Sequence, residues 1–440
     1  MGMKCIQCGT DNNLKDRTDR AGRCKSCNHS FAFEPTTVTD KRLQITDPFF
    51  AKAIADISAD GTLFFTPKQL YYLLDKRLTA RSASKGFWWL VPYIFLNIWA
   101  PGFIGTFLMV FLGGSPYAYL LVWVGLNLIF INKFFRASNS DQLSYAVRRT
   151  NARDLQVLGV LILIIGFFFS LRVLNSAPIY FLTVLLGMTS IVLGTWQKKR
   201  QVAIAKAPLF EQAQVRTWLD RWTMVNGTIP KLLRTPIEGQ KAQTVDPDVS
   251  AYSFDRAVVC DSAKIAQLLI ANNFHFENNC AVLSITGYPQ SIFTTVMTML
   301  KRNPDLKVYA LHDGTPQGLR LINQLRSSPN WFQNSPVQLI DLGLLPRQIL
   351  AARSMLVQSS DNSAEASKRL PIEVRQGLSA DELTWLDAGN FVELESFSPQ
   401  RLIKVINQGI SQTQTIESDG AIIWLGDGTG GYLYAADSFG

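Results

Sequence analysis

Four long apolar segments in the first half of the chain constrain its fold more than any other feature. They cover residues 87–112, 117–131, 155–173 and 179–196. A helix needs about 20 mostly apolar residues to cross the hydrocarbon core of a bilayer, and about 17 suffice. The second segment reaches this length only if its helix continues past Asn132. The pattern predicts four membrane-spanning helices, and the alternative is a buried helical hairpin in a soluble domain.

Short turns group these segments into two hairpins. A glycine-rich turn at 113–116 separates the first two segments, and a turn at 174–178 separates the last two. We therefore expect one transmembrane hairpin at 87–136 and a second at 155–196. Together they predict a multi-domain membrane protein, because the regions on both sides of them are polar.

Charge is distributed unevenly along the chain. Residues 1–86 contain 14 basic and 9 acidic residues, residues 87–240 contain 14 and 5, and residues 241–440 contain 15 and 20. The basic residues flank the apolar segments, whereas the short turns of the hairpins contain none. By the positive-inside rule, both termini and the central loop are predicted to be cytoplasmic. This places the chain in the bacterial inner membrane or an equivalent membrane.

The N-terminus contains two C-x2-C pairs, which are Cys5 with Cys8 and Cys24 with Cys27. Each pair offers two thiolates from one turn, and the 15 residues between the pairs let all four reach one tetrahedral Zn2+. Four sulfur ligands leave no open coordination position, so the zinc is structural and residues 1–34 are predicted to form a zinc ribbon. The alternative is two disulfides, which the reducing cytoplasm disfavours.

Residues 43–86 predict a small winged-helix-like element between the ribbon and the first span. Helical patterns at 47–58 and 67–78 flank a strand-like run at 62–65, which follows a hairpin-type turn signal. After the last span, residues 205–250 are expected to form a cytoplasmic linker.

The C-terminal region, 251–440, alternates short apolar runs with helical patterns. The runs are 254–260, 280–285, 306–311 and 337–341. Apolar runs of this length between helices predict an α/β domain with a mostly parallel sheet. In such folds the chemistry lies in the loops that follow the strands, and these loops contain Asp261 and Asp313.

Several short motifs in this region occur in a fixed order. They are Gly287-Tyr288-Pro289, then Asp313-x-x-Pro316-x-Gly318, then Leu342-Gly343-Leu344 with Pro346. On these residues, 258–349 resembles the Toprim domain of the topoisomerase VI A subunit and of its relative, the meiotic double-strand-break transesterase. The resemblance implies a homodimer, because that family works as a dimer, with the four spans as an insertion.

Upstream, Lys68-Gln69-Leu70-Tyr71-Tyr72 resembles the tyrosine motif of the winged-helix domain in the same family. The resemblance implies that the second tyrosine, here Tyr72, attacks a DNA phosphate. The alternative is a pair of core tyrosines on an amphipathic helix. The family has an arginine where this chain has Lys68.

The chain departs from the family at the metal site. The resemblance implies Mg2+ held by a Glu after the first strand and an Asp-x-Asp after a later strand. Here Cys260 or Asp261 stands at the Glu position, and Thr315 replaces the second Asp. A missing carboxylate argues against Mg2+, so Tyr72, Asp261 and Asp313 are predicted to be vestigial catalytic residues. The alternative for Asp313 is a helix N-cap or turn residue.

Two functions from different classes follow. The first is a non-enzymatic regulatory or interaction protein, anchored in the lipid bilayer and binding protein partners on the cytoplasmic face. The second is a membrane-bound, metal-dependent DNA-cleaving or phosphoryl-transfer enzyme that uses Tyr72 with Asp261 and Asp313, with His312 as a compensating base. The acidic C-terminal region disfavours nucleic acid as a partner. Transport has the least support, since the polar groups in or near the spans are few: Asn97, Asn127 and Arg172.

Overall fold

The structure is a computed structural model that describes residues 2–35, 38, 40–83, 86–115, 117–140, 145–168, 177–200, 208–236, 254–303, 305–352 and 355–418. The chain divides into two compact units. We call Met1–Lys76 with Ala205–Gly440 the α/β unit, and Arg77–Ile204 the helical unit.

The N-terminal part of the α/β unit is a small ribbon. Strands β1 (Met3–Lys4) and β2 (Asp11–Asn12) pair antiparallel, and helix α1 (Leu14–Asp19) follows them. Asn13 begins this helix with a capping box. Its side chain accepts a hydrogen bond from the backbone N–H of Asp16, and the Asp16 carboxylate accepts one from the backbone N–H of Asn13. The ribbon thus has little regular structure of its own.

Two helices follow the ribbon, α2 (Asp47–Ile57) and α3 (Pro67–Ala83). The predicted hairpin between them is wrong. Ala59, Asp60 and Gly61 all have positive φ and end helix α2 in a left-handed turn. The chain then passes Phe65, whose backbone pairs in parallel with Leu232 of a distant segment and not with a neighbouring strand.

The segment expected as a linker contains a helix, α8 (Gln212–Asn226). Its buried residues recur at helical spacing and include Trp218 and Trp222. The Trp222 ring lies 5.2 Å from the Phe50 ring of α2 and 6.2 Å from the Phe33 ring of the ribbon. Helix α8 therefore belongs to the core of the α/β unit, because burying these aromatic rings outweighs the polar composition around them.

The predicted parallel sheet is present. Strands β3 (Arg256–Cys260), β4 (Cys280–Ser284), β5 (Lys307–Leu311) and β6 (Gln338–Asp341) form one sheet with the order β4-β3-β5-β6, and every neighbouring pair is parallel. The residues of β3, β4 and β5 are almost entirely buried, which is typical of a sheet covered on both faces, whereas the edge strand β6 is largely exposed. Cys260 and Cys280 are fully buried in this core.

Helices connect the strands of the sheet and complete the unit. Between the strands they are α9 (Ala263–Ala271), α10 (Phe274–Glu277), α11 (Phe293–Arg302), α12 (Pro316–Leu319) and α13 (Leu321–Ser327). After the sheet come α14 (Pro346–Ala351), β7 (Gln358–Ser359), α15 (Asp361–Lys368), α16 (Ile372–Gln376), α17 (Ala380–Asp387), β8 (Asn390–Phe391) and α18 (Pro399–Ser418). Strands β7 and β8 pair antiparallel.

The helical unit contains four long helices: α4 (Leu90–Phe111), α5 (Tyr117–Asn139), α6 (Tyr145–Phe168) and α7 (Ala177–Arg200). All four are long and apolar enough to cross a membrane. Helix α5 continues past Asn132 to 23 residues, which removes the doubt about its length. Helix α6 begins ten residues before the predicted second hairpin, so that Arg148, Arg149 and Arg153 lie in its first turns.

Candidate functional site

The four cysteines of the ribbon form one cluster. The Sγ atoms of Cys5 and Cys27 are 3.6 Å apart, as are those of Cys8 and Cys24, and all four lie within 4.8 Å of one another. Zinc–sulfur bonds of about 2.3 Å place tetrahedral sulfurs about 3.8 Å apart, so the cluster fits a metal ion such as Zn2+. Cys5 and Cys24 are buried, whereas Cys8 and Cys27 are exposed.

One backbone donor and one side-chain donor contact Cys24, the first cysteine of the second pair. The Sγ of Cys24 accepts at 3.5 Å from the backbone N–H of Ser26 and from the side-chain amide of Asn12. The Asn12 side chain in turn accepts from the N–H of Lys25 at 2.8 Å. Donors aimed at sulfur stabilise a thiolate, which is the form that binds a metal.

Asp47 fixes the ribbon onto the rest of the α/β unit. Its buried carboxylate accepts from the backbone N–H groups of Ala32 and Phe33, both at 2.9 Å. His29 of the ribbon also shares a hydrogen bond of 3.0 Å with Asn226 of α8. The ribbon is therefore tied to helices α2 and α8.

A second cluster of chemically competent groups forms at the carboxyl ends of β3 and β5. Asp261 and Asp313 follow these adjacent strands, and the Asp313 N–H donates to Asp261 Oδ2 at 2.7 Å. Gly318 leaves space for this approach, since a Cβ there would lie 2.3 Å from Asp313 O and 3.1 Å from Asp261 Oδ2. Any larger residue at the glycine of the Asp-x-x-Pro-x-Gly motif would thus clash with the two aspartates.

The interpretation of Asp313 as a helix cap is wrong. The N-cap of α12 is Thr315, whose hydroxyl accepts from the N–H of Gly318 at 3.0 Å. Asp313 Oδ1 instead accepts at 2.5 Å from the N–H of Leu394, and the N–H of Gly314 donates to Val392 O at 2.8 Å. These bonds attach the loop after β5 to a segment about 80 residues further along the chain.

That segment adds two carboxylates which the sequence analysis missed, Glu393 and Glu395. Lys68 Nζ lies 2.7 Å from Glu393 Oε1 and 2.6 Å from Oε2. The Thr66 hydroxyl donates to Glu395 Oε1 at 2.6 Å. Residues 392–395 alternate apolar and polar side chains, but Leu394–Ser396 is a 3-10 helix, and the local pattern does not indicate what the two glutamates face.

Tyr72 joins the same cluster from helix α3. Its hydroxyl donates to Glu393 Oε2 and accepts from Gln358 Nε2 at 2.6 Å. The side chain is 4% exposed. The structure thus brings together all three predicted catalytic residues, Tyr72, Asp261 and Asp313. We call these three with Lys68, Glu393 and Glu395 the carboxylate cluster.

Burial dominates the electrostatics of the carboxylate cluster. It raises the pKa of Asp261, and together with the Asp261 charge it raises the pKa of Asp313 well above its usual range. Burial also raises the pKa of Glu395, and burial with the Glu393 charge raises that of Tyr72. Asp261 Oδ1 is buried and has no hydrogen-bond partner among the described residues. An unpaired carboxylate oxygen of this kind is an available ligand atom for a hard cation.

The ring nitrogens of His312 do not contact the side chains of the carboxylate cluster, as a compensating base would. Its Nε2 lies 3.1 Å from Asp341 Oδ1, and its Nδ1 donates to Asp313 O at 2.8 Å. Burial opposes the charged ring, but Asp341 outweighs it and raises the pKa of His312 to about 9. His312 is therefore a buried cation that holds the loops after β5 and β6, and Gly343 lies against its ring with no space for a Cβ.

No protein-family model matches the chain, and no curated protein is significantly similar to it. The features that bear on its function are therefore the two clusters, the sheet and the four apolar helices.

Proposed function

We propose that this chain is a membrane-anchored regulatory or interaction protein whose polar parts face the cytoplasm. In this proposal the four helices span the membrane, the ribbon binds structural zinc, and the parallel sheet is a catalytically degraded Toprim-like domain. Its partners are the lipid bilayer and cytoplasmic proteins, and the resemblance adds a homodimer. Both termini lie on the cytoplasmic side, because the basic residues flank the spans there.

The observation that carries this proposal is that the Tyr72 hydroxyl hydrogen-bonds two other segments of the chain and so acts as a structural joint. This hydroxyl is buried between Glu393 and Gln358 and so links helix α3 to β7 and the segment after β8. A nucleophile for a DNA phosphate has to be exposed to the duplex, and the acidic side chains around Tyr72 repel that polyanion. The contacts of Tyr72 support a structural role.

A plasmid-cleavage assay tests this proposal. Full-length protein in detergent is incubated with supercoiled plasmid and Mg2+ or Mn2+, and wild type is compared with Tyr72→Phe. We expect equal, background levels of nicking and no protein–DNA adduct. Metal-dependent nicking by wild type that is lost in Tyr72→Phe would overturn the proposal.

One set of observations favours the second function, a membrane-bound, metal-dependent phosphoryl-transfer enzyme. Asp261, Asp313, Glu393 and Glu395 offer the hard oxygen ligands that Mg2+ requires, and Asp261 Oδ1 has no hydrogen-bond partner within the described chain. The two glutamates compensate for the carboxylate that Thr315 lacks. Among the described residues, however, only the four cysteines place three or more ligand atoms within 4.8 Å of one another, so these carboxylates would have to move together to hold the ion, which would supply charge neutralisation at a phosphate.

In this second function the other side chains have separate roles. Tyr72 would attack phosphorus through its hydroxyl oxygen, and Glu393 would accept the proton that the hydroxyl loses. Lys68 would hold the Glu393 carboxylate in place. The phosphorus–oxygen bond to the leaving nucleoside would break, and that oxygen would take up a proton from water.

Calorimetric titration with Mn2+ distinguishes the two functions. It requires the full chain, because the isolated C-terminal region, 241–440, would lack Lys68 and Tyr72, which both contact Glu393. Binding that is lost in Asp313→Asn and retained in Asp381→Asn, an acidic residue in the first turn of α17, supports the second function. Absence of binding at millimolar Mn2+ rejects it.

A further inference from the structure

The side chain of Asn12 lies between the two cysteine pairs of the ribbon and bonds to both. Its Nδ2 donates at 2.8 Å to Thr10 O, the same carbonyl that accepts from the backbone N–H of Cys5 at 2.9 Å. It also contacts the Cys24 sulfur at 3.5 Å, and its Oδ1 accepts at 2.8 Å from the N–H of Lys25, inside the second pair. One amide therefore connects the two turns that supply the four sulfur atoms.

These contacts fix the orientation of the Asn12 amide. Turning it over would put its oxygen against Thr10 O and the Cys24 sulfur, which both accept, and its N–H groups against the N–H of Lys25. In the arrangement found, the two hydrogens of the amide match the two acceptors that it contacts. The residue is 0% exposed, so water does not compete for these bonds.

The backbone of Asn12 is held as firmly as its side chain. Asn12 pairs with Met3 across β1 and β2, and its carbonyl accepts from Arg17 Nη1 at 2.8 Å. Arg17 is itself buried and forms an ion pair with Glu34, whose Oε2 lies 2.8 Å from its Nε. The amide is thus held in place by contacts other than those to the cysteines, and the Cys24 sulfur meets a donor that is already oriented.

We propose that Asn12 is a positioning residue for the metal: it holds the two cysteine turns together and reduces the electron density on the Cys24 sulfur. This role rests on the proposed structural zinc. Four thiolates around one Zn2+ carry an excess of negative charge, which N–H donors aimed at sulfur stabilise. Cys24 accepts from two such donors, Asn12 Nδ2 and the N–H of Ser26, so the loss of Asn12 acts on this ligand most directly.

The test measures metal binding by the full chain in detergent. Zinc affinity is obtained by competition with a chromogenic chelator, and excess Co2+ gives the absorption spectrum of the filled site. Asn12→Ala removes all three side-chain contacts and should weaken zinc binding about 10–100-fold, the range for residues that support metal ligands. Its thiolate-to-Co2+ charge-transfer band should move to longer wavelength, because a sulfur without its N–H donor gives up an electron more easily.

A matched pair of substitutions separates the position of Asn12 from the charge of the ribbon. Asn12→Asp keeps the size of the side chain and the bond from Lys25, but it puts an oxygen against the Cys24 sulfur and should weaken zinc binding more than about 10-fold. Asn13→Asp makes the same chemical change at the next residue, an exposed N-cap where aspartate serves as well as asparagine. Its zinc affinity should stay within about threefold of wild type, because an exposed charge is screened.

Two results would overturn the inference while leaving the zinc site in place. One is a zinc affinity in both Asn12 variants that equals that of Asn13→Asp. The other is a charge-transfer band of Asn12→Ala at the wild-type wavelength, which would make Asn12 a link between two loops and no more. A wild-type chain that gives no four-sulfur Co2+ spectrum would instead reject the proposed structural zinc, and the role of Asn12 with it.

Discussion

The cysteine cluster and the carboxylate cluster both lie in the α/β unit, and each contains groups that bind divalent cations, yet they are built in different ways. The four cysteines lie within 23 residues and need only two turns and a short loop to meet. The carboxylate cluster joins Tyr72 to Glu393, 321 residues away, and also takes one aspartate from the loop after each of two parallel strands. The cysteine cluster forms from residues close in sequence, whereas the carboxylate cluster forms only when distant parts of the α/β unit fold together.

This difference teaches what holds each cluster together. In the ribbon the strands have two residues each, so a metal bound by the four cysteines would supply much of the folding free energy. The carboxylate cluster is held by hydrogen bonds to backbone N–H groups, by Lys68 and by Tyr72. These contacts are all made within the chain, so we expect them to hold the cluster against the repulsion among its buried carboxylates. Perturbing the metal should affect the ribbon far more than the sheet.

The largest effect is expected from Cys24→Ser or from removal of zinc with a chelator. Structural Zn2+ contributes apparent binding free energies of about 10–16 kcal/mol in zinc-finger peptides, so the ribbon should lose its protection from hydrogen exchange. The sheet residues should stay protected. Ser26→Ala is the control, because this exposed residue lies in the same turn and uses only its backbone N–H. Full protection of 2–34 in the metal-free protein would contradict this account.

Gly318→Ala should have the next largest effect. A Cβ 2.3 Å from Asp313 O forces the backbone of α12 away and should cost about 1–3 kcal/mol in the free energy of opening measured by hydrogen exchange. The matched control is Gly377→Ala, where the closest atom would be an ordinary 3.5 Å away. A Gly318→Ala protein as stable as this control would show that the two aspartates are not held as described.

Glu393→Gln should cost about 1–3 kcal/mol, because it leaves the partly buried Lys68 without a carboxylate. The loss should be smaller in a Lys68→Met background, as a double-mutant cycle would show. Glu365→Gln is the control, since its ion pair with Arg369 is exposed and contributes little. Additive effects of the Lys68 and Glu393 changes would show that the pair is not coupled.

Tyr72→Phe should have the smallest effect, about 0.5–1.5 kcal/mol, because Glu393 keeps Lys68 as a partner when the two hydrogen bonds of the hydroxyl are lost. The loss should appear as faster hydrogen exchange around β7 and the segment after β8, which the hydroxyl joins to α3. Tyr71→Phe serves as the control because its hydroxyl makes a longer bond, 3.3 Å, to Phe210 O. Equal protection in wild type and Tyr72→Phe would remove the evidence that Tyr72 is a structural joint.

Local patterns in the sequence were sufficient for several parts of this protein. Four apolar stretches predict the long helices, because hydropathy and length are properties of each stretch alone. The C-x2-C pairs predict the cysteine cluster since both pairs are contiguous, and apolar runs predict the four parallel strands. The loops that carry Asp261 and Asp313 follow from the same runs. The likeness to the Toprim family and the zinc itself stay predictions.

Tertiary structure alone decided the rest, because it depends on residues distant in the chain. Helix α8 forms where a linker was expected, since Trp222 packs against the rings of Phe33 and Phe50 and Trp218 packs against the ring of Phe210. The strand-like run before α3 pairs with Leu232 and makes no hairpin. Glu393 and Glu395 complete the carboxylate cluster through contacts that span more than 320 residues, a separation over which no local pattern carries information.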